Sequence, residues 1–340
     1  MPRMFSRHKH TIIYLLFVCL VIGLYAWYVR GVSFSRIFPY GTPQTVGDAT
    51  HGQWSARADM PTARTAVGAV ALGDTVYVVG GLDGLGRTLA TVELYRPETD
   101  HWESAPSLPK AVHGASVVAL DGYVYVLGGF DGLSLHPTND GFVFDTVTGT
   151  WQNIAPMPEA RGAMAAAVLG DTLVVVGGLS ADGVSRALFV YLLAENRWET
   201  RAAMPTARDH LAAAVLDGKL FAIGGRKGQE SRPLDIVEVY DPETDRWQNA
   251  SALPRAIGDG AVAVRESALI VAGGEASPRM QDGVYRLALG SDQWETLTSM
   301  RTPRHGFGFV TVRDALYAIG GGTHPGFSVS ALVETLGFGE

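Results

Sequence analysis

The chain has 340 residues, with 27 Lys and Arg against 34 Asp and Glu, and a formal net charge of −7 at pH 7. Residues 1–53 carry a net +4, which leaves −11 on the remainder. An acidic body argues against binding to a phosphate backbone, so we expect no nucleic-acid partner. The only cysteine is Cys19, which excludes disulfides, thiol catalysis and cysteine-ligated metals from the rest of the chain.

The first segment of the chain has the composition of a membrane anchor. Residues 1–10 are basic, and residues 11–29 contain no charge and are apolar enough to cross a membrane as one helix. Because positive charge favours the cytoplasmic side, we expect the N-terminus in the cytoplasm and the rest of the chain outside it, in the periplasm or extracellular space. Residues 30–52, which are rich in Gly, Ser, Thr and Pro, are predicted to be a linker.

A cleaved signal peptide is the alternative interpretation of the same segment. Ala26 is the only small residue that suits the position before a cut, but the large Leu24 stands two residues earlier. The apolar run is also long for a signal peptide. These features favour an uncleaved anchor.

From residue 53 onward one unit is repeated six times. Tryptophans recur at steps of 47 to 49 residues, and each is followed 26 residues later by a Gly-Gly pair. Such a fixed period is typical of a repeat architecture. The tryptophans are Trp54, Trp102, Trp151, Trp198, Trp247 and Trp294; the glycines are Gly80, Gly81, Gly128, Gly129, Gly177, Gly178, Gly224, Gly225, Gly273, Gly274, Gly320 and Gly321.

Each repeat has the pattern of four short antiparallel strands. Apolar β-rich runs alternate with turns, and the pairs Asp121-Gly122 and Asp217-Gly218 are residue types that tolerate positive φ in tight hairpins. A four-stranded sheet of this kind leaves two apolar faces, so it must stack on its neighbours. Six such sheets around an axis give a β-propeller.

The motifs of the repeat resemble those of the kelch family. The resemblance covers residues 54–340 and rests on the Gly-Gly pair, the Trp, the "MPxxR" element and the "VExYDPxT" segment at residues 237–244. It implies an all-β, six-bladed kelch β-propeller over residues 53–340, which follows the transmembrane helix predicted from residues 11–29. Val112 and Ile257 depart from the pattern, since they stand where other repeats have the arginine of "MPxxR".

The tryptophans and glycines are predicted to be structural. A large indole at a fixed phase suits packing between adjacent blades, and paired glycines allow two backbones to approach closely. The last repeat lacks its own Trp strand, so we expect the strand around residues 52–58, with Trp54, to complete the sixth blade and close the ring.

Candidate ligand-binding residues lie in loops at one mouth of the propeller, where the chain enters each inner strand and leaves each Gly-Gly pair. Four arginines at one repeat position are expected to ring this mouth and to suit a carboxylate on an acidic peptide or sugar. Neighbouring loop positions add histidines and carboxylates. The candidates are Arg64, Arg161, Arg208, Arg304, His113, Asp209, His210, Asp259, Glu275 and His305.

Two alternatives stand beside this prediction. The arginines are equally well explained as scaffold residues that hydrogen-bond backbone carbonyls of the adjacent blade, because repeats inherit scaffold residues first. Three histidines, His113, His210 and His305, come from alternate blades, but no carboxylate–histidine spacing motif supports a metal site. We therefore expect no metal and no cofactor.

Two functions fit the sequence. The first is a membrane-anchored binding module that holds a protein or ligand through its mouth loops, with no catalytic residues assigned. The second is an exported carbohydrate-acting enzyme, by analogy with six-bladed kelch proteins that mutarotate sialic acid, where an acid–base pair would come from the histidines and acidic residues named above. No cysteine lies in the propeller, which excludes the tyrosine–cysteine chemistry of kelch-type copper oxidases that resemble galactose oxidase.

Overall fold

The structure is a computed structural model that describes residues 52–132, 135–228, 232–276 and 278–338. The predicted basic segment, the predicted membrane span and the linker up to residue 51 lie outside this part of the chain. Within the described ranges, no helix is both long and apolar enough to span a bilayer.

The described chain forms six four-stranded antiparallel sheets, which are the six predicted blades. Strand β1 is Gln53–Arg57. Blade 1 contains β2 (Gly68–Leu72), β3 (Thr75–Val79), β4 (Val92–Arg96) and β5 (His101–Ser104). Blade 2 contains β6 (Ser116–Leu120), β7 (Tyr123–Leu127), β10 (Gly141–Asp145) and β11 (Thr150–Asn153), with the ribbon β8 (Phe130–Asp131) and β9 (His136–Pro137) after its Gly-Gly pair.

Blades 3 and 4 follow the same plan. Blade 3 contains β12 (Ala165–Leu169), β13 (Thr172–Val176), β16 (Leu188–Leu192) and β17 (Arg197–Arg201), with the ribbon β14 (Leu179–Ser180) and β15 (Gly183–Val184). A short 3-10 helix, Leu193–Glu195, replaces the usual turn before β17. Blade 4 contains β18 (Ala212–Leu216), β19 (Lys219–Ile223), β20 (Val237–Asp241) and β21 (Arg246–Asn249).

Blades 5 and 6 complete the ring. Blade 5 contains β22 (Ala261–Arg265), β23 (Ala268–Ala272), β26 (Gly283–Ala288) and β27 (Glu295–Ser299), with the ribbon β24 (Glu275–Ala276) and β25 (Arg279–Met280). Blade 6 contains β28 (Gly308–Val312), β29 (Ala315–Ile319), β30 (Val333–Gly337) and the N-terminal β1.

The predicted ring closure is confirmed. Strand β1 pairs antiparallel with β30, and Trp54 lies opposite Leu336. The outer strand of the last blade therefore comes from the start of the repeat region, so the two ends of the propeller are held together by a strand pair.

The core is divided among the interfaces between blades, as expected for sheets that stack on their neighbours. Six buried apolar clusters each draw residues from two adjacent blades. The inner strands contact the inner strands of both neighbouring blades, and small residues such as Ala165, Ala167 and Ala214 fill the narrow space there.

Contacts between blades explain why tryptophan and the Gly-Gly pair keep the same position in every repeat. The indole of Trp247 packs on Tyr240, with ring centroids 5.3 Å apart, and its Nε1–H donates to the carbonyl of Ala202 at 2.7 Å. In the Gly-Gly pair of blade 1, a Cβ on Gly80 would lie 2.4 Å from the carbonyl oxygen of Val112. At these two residues, the indole and the glycine serve the packing of one blade on the next.

Candidate functional site

The first row of candidate residues lies between blades rather than in the mouth. This arginine row consists of the six positions Arg64, Val112, Arg161, Arg208, Ile257 and Arg304, and each is buried. The backbone of each residue is hydrogen-bonded to the blade before it, as in the bonds of Arg208 to Gly178 and Ser185. Its side chain enters the blade that follows.

Three of the four arginines form buried ion pairs. Arg64 Nη2 lies 2.6 Å from Glu93 Oε2, and Nη1 of the same guanidinium donates to the carbonyls of Gly80 and Thr91. Arg208 pairs in the same way with Glu238, and Arg304 with Glu334. Glu93 and Glu238 are the glutamates of "VExY" segments in the third strand of their blades, and Glu334 occupies the same position in the segment "VETL".

Blade 3 holds its arginine without a glutamate. Phe189 stands where the glutamate would be, and the Arg161 guanidinium lies over its ring at 4.4 Å from the centroid. Arg161 Nη1 donates to the carbonyls of Gly177 and Ala187, and the nearest carboxylate is that of Glu159 at 3.5 Å. Burial lowers the pKa of Arg161 to about 10, so the group stays charged at pH 7.

The expectation that four arginines ring the mouth is therefore corrected. Arg64, Arg161, Arg208 and Arg304 have no exposed surface, and each is committed to carbonyls of its blade. The structure instead matches the scaffold alternative, except that the carbonyls belong to the blade that the side chain enters and not to the adjacent blade. The sequence contains a signal for this role. A glutamate stands in the third strand of three of the four blades that have the arginine, and in neither of the two blades that lack it. In blade order, the residues at this third-strand position are Glu93, Phe142, Phe189, Glu238, Val284 and Glu334.

Two residues further along the chain, a second row encircles the propeller axis. This ring row consists of Ala66, Gly114, Ala163, His210, Asp259 and Gly306, and all six have positive φ between 49° and 59°. The N–H of each of the last five donates to the carbonyl of the ring-row residue one blade earlier, and Val67 N–H donates to Gly306 O at 3.4 Å. The ring of hydrogen bonds is thus closed through Val67.

Blades 4 and 5 place His210 and Asp259 where the other four blades have alanine or glycine. A left-handed backbone costs a residue with a Cβ roughly 1 kcal/mol. The same two blades also carry charge directly after the Gly-Gly pair, at Arg226 and Glu275, whereas the other blades have Leu82, Phe130, Leu179 and Gly322. Charge at these mouth positions is therefore concentrated on one side of the ring.

Six side chains from blades 4, 5 and 6 form one charged cluster at this mouth. In blade 4, His210 Nδ1 lies 2.6 Å from Asp209 Oδ1. Arg226 Nη1 donates across the blade boundary to Glu275 Oε1 at 3.0 Å, and Arg226 Nε lies 3.6 Å from Asp209 Oδ1. The charged cluster is defined as Asp209, His210, Arg226, Asp259, Glu275 and His305.

The remaining pair of the cluster joins blades 5 and 6. His305 Nδ1 lies 2.9 Å from Asp259 Oδ2. Burial would raise the pKa of the Asp259 carboxyl, but the hydrogen bond with His305 and the nearby charges of His210 and Arg226 hold that pKa well below its usual range. Burial lowers the pKa of His305, and Asp259 and Glu275 outweigh it, so the net shift is upward.

His113 does not join this cluster. It lies in blade 2, with Nδ1 3.2 Å from Thr88 Oγ1 and its ring 5.5 Å from that of Phe130. Burial lowers the pKa of His113 to about 4. Among the described residues, no group of three or more His, Cys, Asp or Glu is arranged to hold a metal ion.

The two clearest surface clefts lie away from the mouth. One is lined by residues of blades 6 and 1, including Asp74, Arg313 and Tyr317. The other lies between blades 5 and 6 beside Arg265, Arg286 and Phe338. Neither cleft contains a residue of the charged cluster.

Comparison with known proteins agrees with the repeat structure. The sequence matches the family described as the KLHDC2/KLHL20/DRC7 Kelch-repeats domain over the overlapping residues 44–178, 109–251 and 155–321. A 48-residue segment is 46% identical to beta-scruin of Limulus polyphemus, which is 14% of this chain but 5% of that protein. The solved structure of YjhT matches with a TM-score of 0.70 and 17% identity, over 82% of this chain and 97% of YjhT.

Proposed function

The chain belongs to the kelch-repeat family, and we propose that it is a membrane-anchored, extracytoplasmic binding module whose ligand contacts the charged cluster. The observation that carries this proposal is the asymmetry of the ring row. His210 and Asp259 are polar side chains on a left-handed backbone that four other blades fill with Ala or Gly. Ala66 and Ala163 share the same φ, so it is the polar side chains, and not the backbone conformation, that distinguish blades 4 and 5.

The chemistry of the cluster favours a ligand with hydroxyl, amide or cationic groups. Asp259 and Glu275 keep exposed side-chain surface, whereas the Asp209 side chain is fully buried, and the one guanidinium of the cluster, Arg226, is already paired with Glu275. Because the four arginines are buried, they cannot bind the carboxylate of an acidic peptide or an acidic sugar. We propose that the ligand is a protein segment or a sugar whose donors bind these carboxylates.

The anchor remains a proposal from the sequence, since residues 11–29 lie outside the described part of the chain. Its support is the uncharged run of 19 residues between a basic segment and a polar linker. We expect the full-length protein to pellet with membranes after a carbonate wash. We also expect added protease to digest the propeller when the outer surface is exposed, while a tag on residue 1 stays protected.

A carbohydrate-acting enzyme is the second candidate, and a specific feature favours it. Asp209 with His210 and Asp259 with His305 are two histidine–carboxylate pairs on neighbouring blades. Such pairs supply the general acid and base that proton transfer at a sugar's anomeric carbon requires. The analogy with kelch proteins that mutarotate sialic acid would then extend to this chain.

One experiment tests both candidates. The protein would be titrated by NMR with a fixed panel of neutral, amino and acidic sugars, sialic acid included, and with acidic and basic peptides. We expect His210→Ala and Asp259→Gly to weaken binding of any responding probe at least tenfold. Both substitutions install residues that other blades already use in the ring row, so the fold should be retained.

The control is His101→Ala, which removes an exposed histidine from outer strand β5 and should leave binding unchanged. Unchanged binding in both ring-row variants would contradict the proposed site. If the protein accelerates the exchange of a sugar's anomers, and His305→Gln abolishes this acceleration, the enzyme would be favoured over the binding module.

A further inference from the structure

The loop after the last Gly-Gly pair lies against the charged cluster. This cap loop, residues 322–330, joins β29 to β30 in blade 6. The N–H of Gly326 donates to Glu275 Oε2 at 3.2 Å. The carbonyl oxygens of Gly326 and His324 lie 2.9 and 3.2 Å from His305 Nε2. Backbone groups of the cap loop thus form hydrogen bonds with the side chains of His305 and Glu275 in the cluster.

The geometry around His305 determines its protonation. Its Nδ1 faces a carboxylate oxygen of Asp259, and its Nε2 faces the two carbonyl oxygens of the cap loop. All of these partners are acceptors, so both ring nitrogens must carry hydrogen for all the contacts to be hydrogen bonds. A neutral imidazole has a single N–H. The arrangement therefore requires the imidazolium form of His305.

The groups around this ring stabilise its positive charge. Asp259 lies on the blade 5 segment that leads into β22, and Glu275 lies on the ribbon of the same blade. Blade 4 contributes His210 and Arg226, which act on Asp259. Little of the His305 side chain is exposed, so water cannot readily replace either partner.

We propose that the cap loop is a pH-sensitive cover of the charged cluster, which His305 fastens while it is protonated and releases when it loses a proton. This inference rests on the proposed function in that the covered cluster is the binding site. Because protonation provides the second N–H, the cover is closed below the pKa of His305 and opens as the pH rises through it. A ligand would then enter more readily at higher pH.

The test is amide hydrogen exchange of the full-length protein without ligand, between pH 5.5 and pH 9, with rates corrected for intrinsic exchange. We expect protection of the cap loop, the Gly326 amide above all, to fall at least tenfold over this range. Protection of the inner strands should stay constant. The ¹⁵N shifts of the His305 ring should show two protonated nitrogens at the acid end.

Three variants separate the cover from a general loosening of the loop. His305→Gln should leave the cap loop weakly protected at every pH, since the amide does not titrate and donates from one end only, whereas the imidazolium donates from both ring nitrogens. Asp259→Asn should move the transition to lower pH, because the imidazolium loses its carboxylate. His324→Gln is the matched control, since its ring contacts Thr323 rather than the cluster, and it should keep the native transition.

Protection that is unchanged from pH 5.5 to pH 9 would overturn the inference. So would a singly protonated His305 ring in a loop that is still protected, or an unaltered transition in His305→Gln. Since no ligand is present, these outcomes are independent of whether the NMR panel finds binding at the cluster.

Discussion

The arginine row and the ring row lie two residues apart in the sequence and have opposite roles. Arginine-row side chains are buried between blades, and three of the four arginines pair with a carboxylate of the scaffold. Ring-row residues encircle the axis, and blades 4 and 5 replace their small residues with His210 and Asp259. A position that repeats in most copies thus serves the fold, and a position where two copies differ marks the candidate site.

The arginine row and the third-strand position also show how the repeats keep buried charge paired. Arginine occurs with glutamate in blades 1, 4 and 6, with Phe189 in blade 3, and blades 2 and 5 have apolar residues at both positions. An unpaired carboxylate inside a blade would be costly, because burial removes its water. In these six copies no third-strand glutamate stands without its arginine.

The largest expected effect comes from removing one member of a buried pair. We expect Arg208→Met to lower the free energy of unfolding by about 3–5 kcal/mol, because Glu238 is left buried without its cation. Arg161→Met should cost under about 2 kcal/mol, since no third-strand carboxylate depends on Arg161. Urea unfolding of both variants checks the comparison. Equal losses would show that the glutamate does not decide the cost.

Two candidate histidines should respond to pH in opposite directions. Burial lowers the pKa of His113 to about 4, so the neutral ring favours the folded state above the ordinary pKa of 6.5. That stabilisation, about 3 kcal/mol, should be lost as the pH falls from 6.5 towards 4. The measurement is the difference in unfolding free energy between the native protein and His113→Leu across this range.

His305 provides the opposing case, because its folded pKa is raised. Its contribution should be fully present below pH 6.5 and should disappear as the pH rises through the folded value. The difference between native and His305→Gln therefore shrinks at alkaline pH. A native-minus-variant difference for His113→Leu that stayed constant or shrank as the pH rose from 4 to 6.5 would contradict the assignment of that ring to the scaffold.

A smaller effect is expected at the tryptophans. Trp247→Phe should cost about 1 kcal/mol more than Trp54→Phe in unfolding free energy, because Trp247 Nε1–H donates to Ala202 O. Trp54 Nε1 is buried without a hydrogen-bond partner among the described residues. Thermal unfolding of the two variants gives the comparison, and a larger loss in Trp54→Phe would show that the closing strand depends on its indole N–H.

The smallest effect tests the backbone of the ring row directly. Ala163→Gly should raise the free energy of unfolding by about 0.5 kcal/mol, because glycine relieves the cost of φ 49° but gains freedom when unfolded. Ala167→Gly, on the neighbouring inner strand, is the control and should be destabilising. A loss of stability in Ala163→Gly would show that the left-handed backbone is not strained.

Much of the fold followed from the sequence, because a fixed period and repeated turn residues leave few architectures. The six blades, the hairpins and the closing strand of Trp54 were predicted from the period, the turn residues and the apolar runs, and they are confirmed. Five candidates, Asp209, His210, Asp259, Glu275 and His305, are brought together in the cluster.

The direction of side chains was the part that spacing does not determine. A repeat position identifies a loop, but whether Arg208 points to the mouth or between blades depends on the partner Glu238, 30 residues away. The positive φ of the ring row was not predicted either, since alanine and glycine at this position in the other copies do not indicate a left-handed backbone. His113 was misplaced because its neighbours, Thr88 and Phe130, come from other loops.

The central claim is that the arginine row belongs to the scaffold, and the double variant Arg208→Ile with Glu238→Val tests it most directly. It gives blade 4 the pair that blade 5 already has in Ile257 and Val284. We expect urea unfolding of the double variant within about 1.5 kcal/mol of the native protein, against a loss of about 3–5 kcal/mol for Arg208→Ile alone. A double variant as unstable as the single one would contradict the claim.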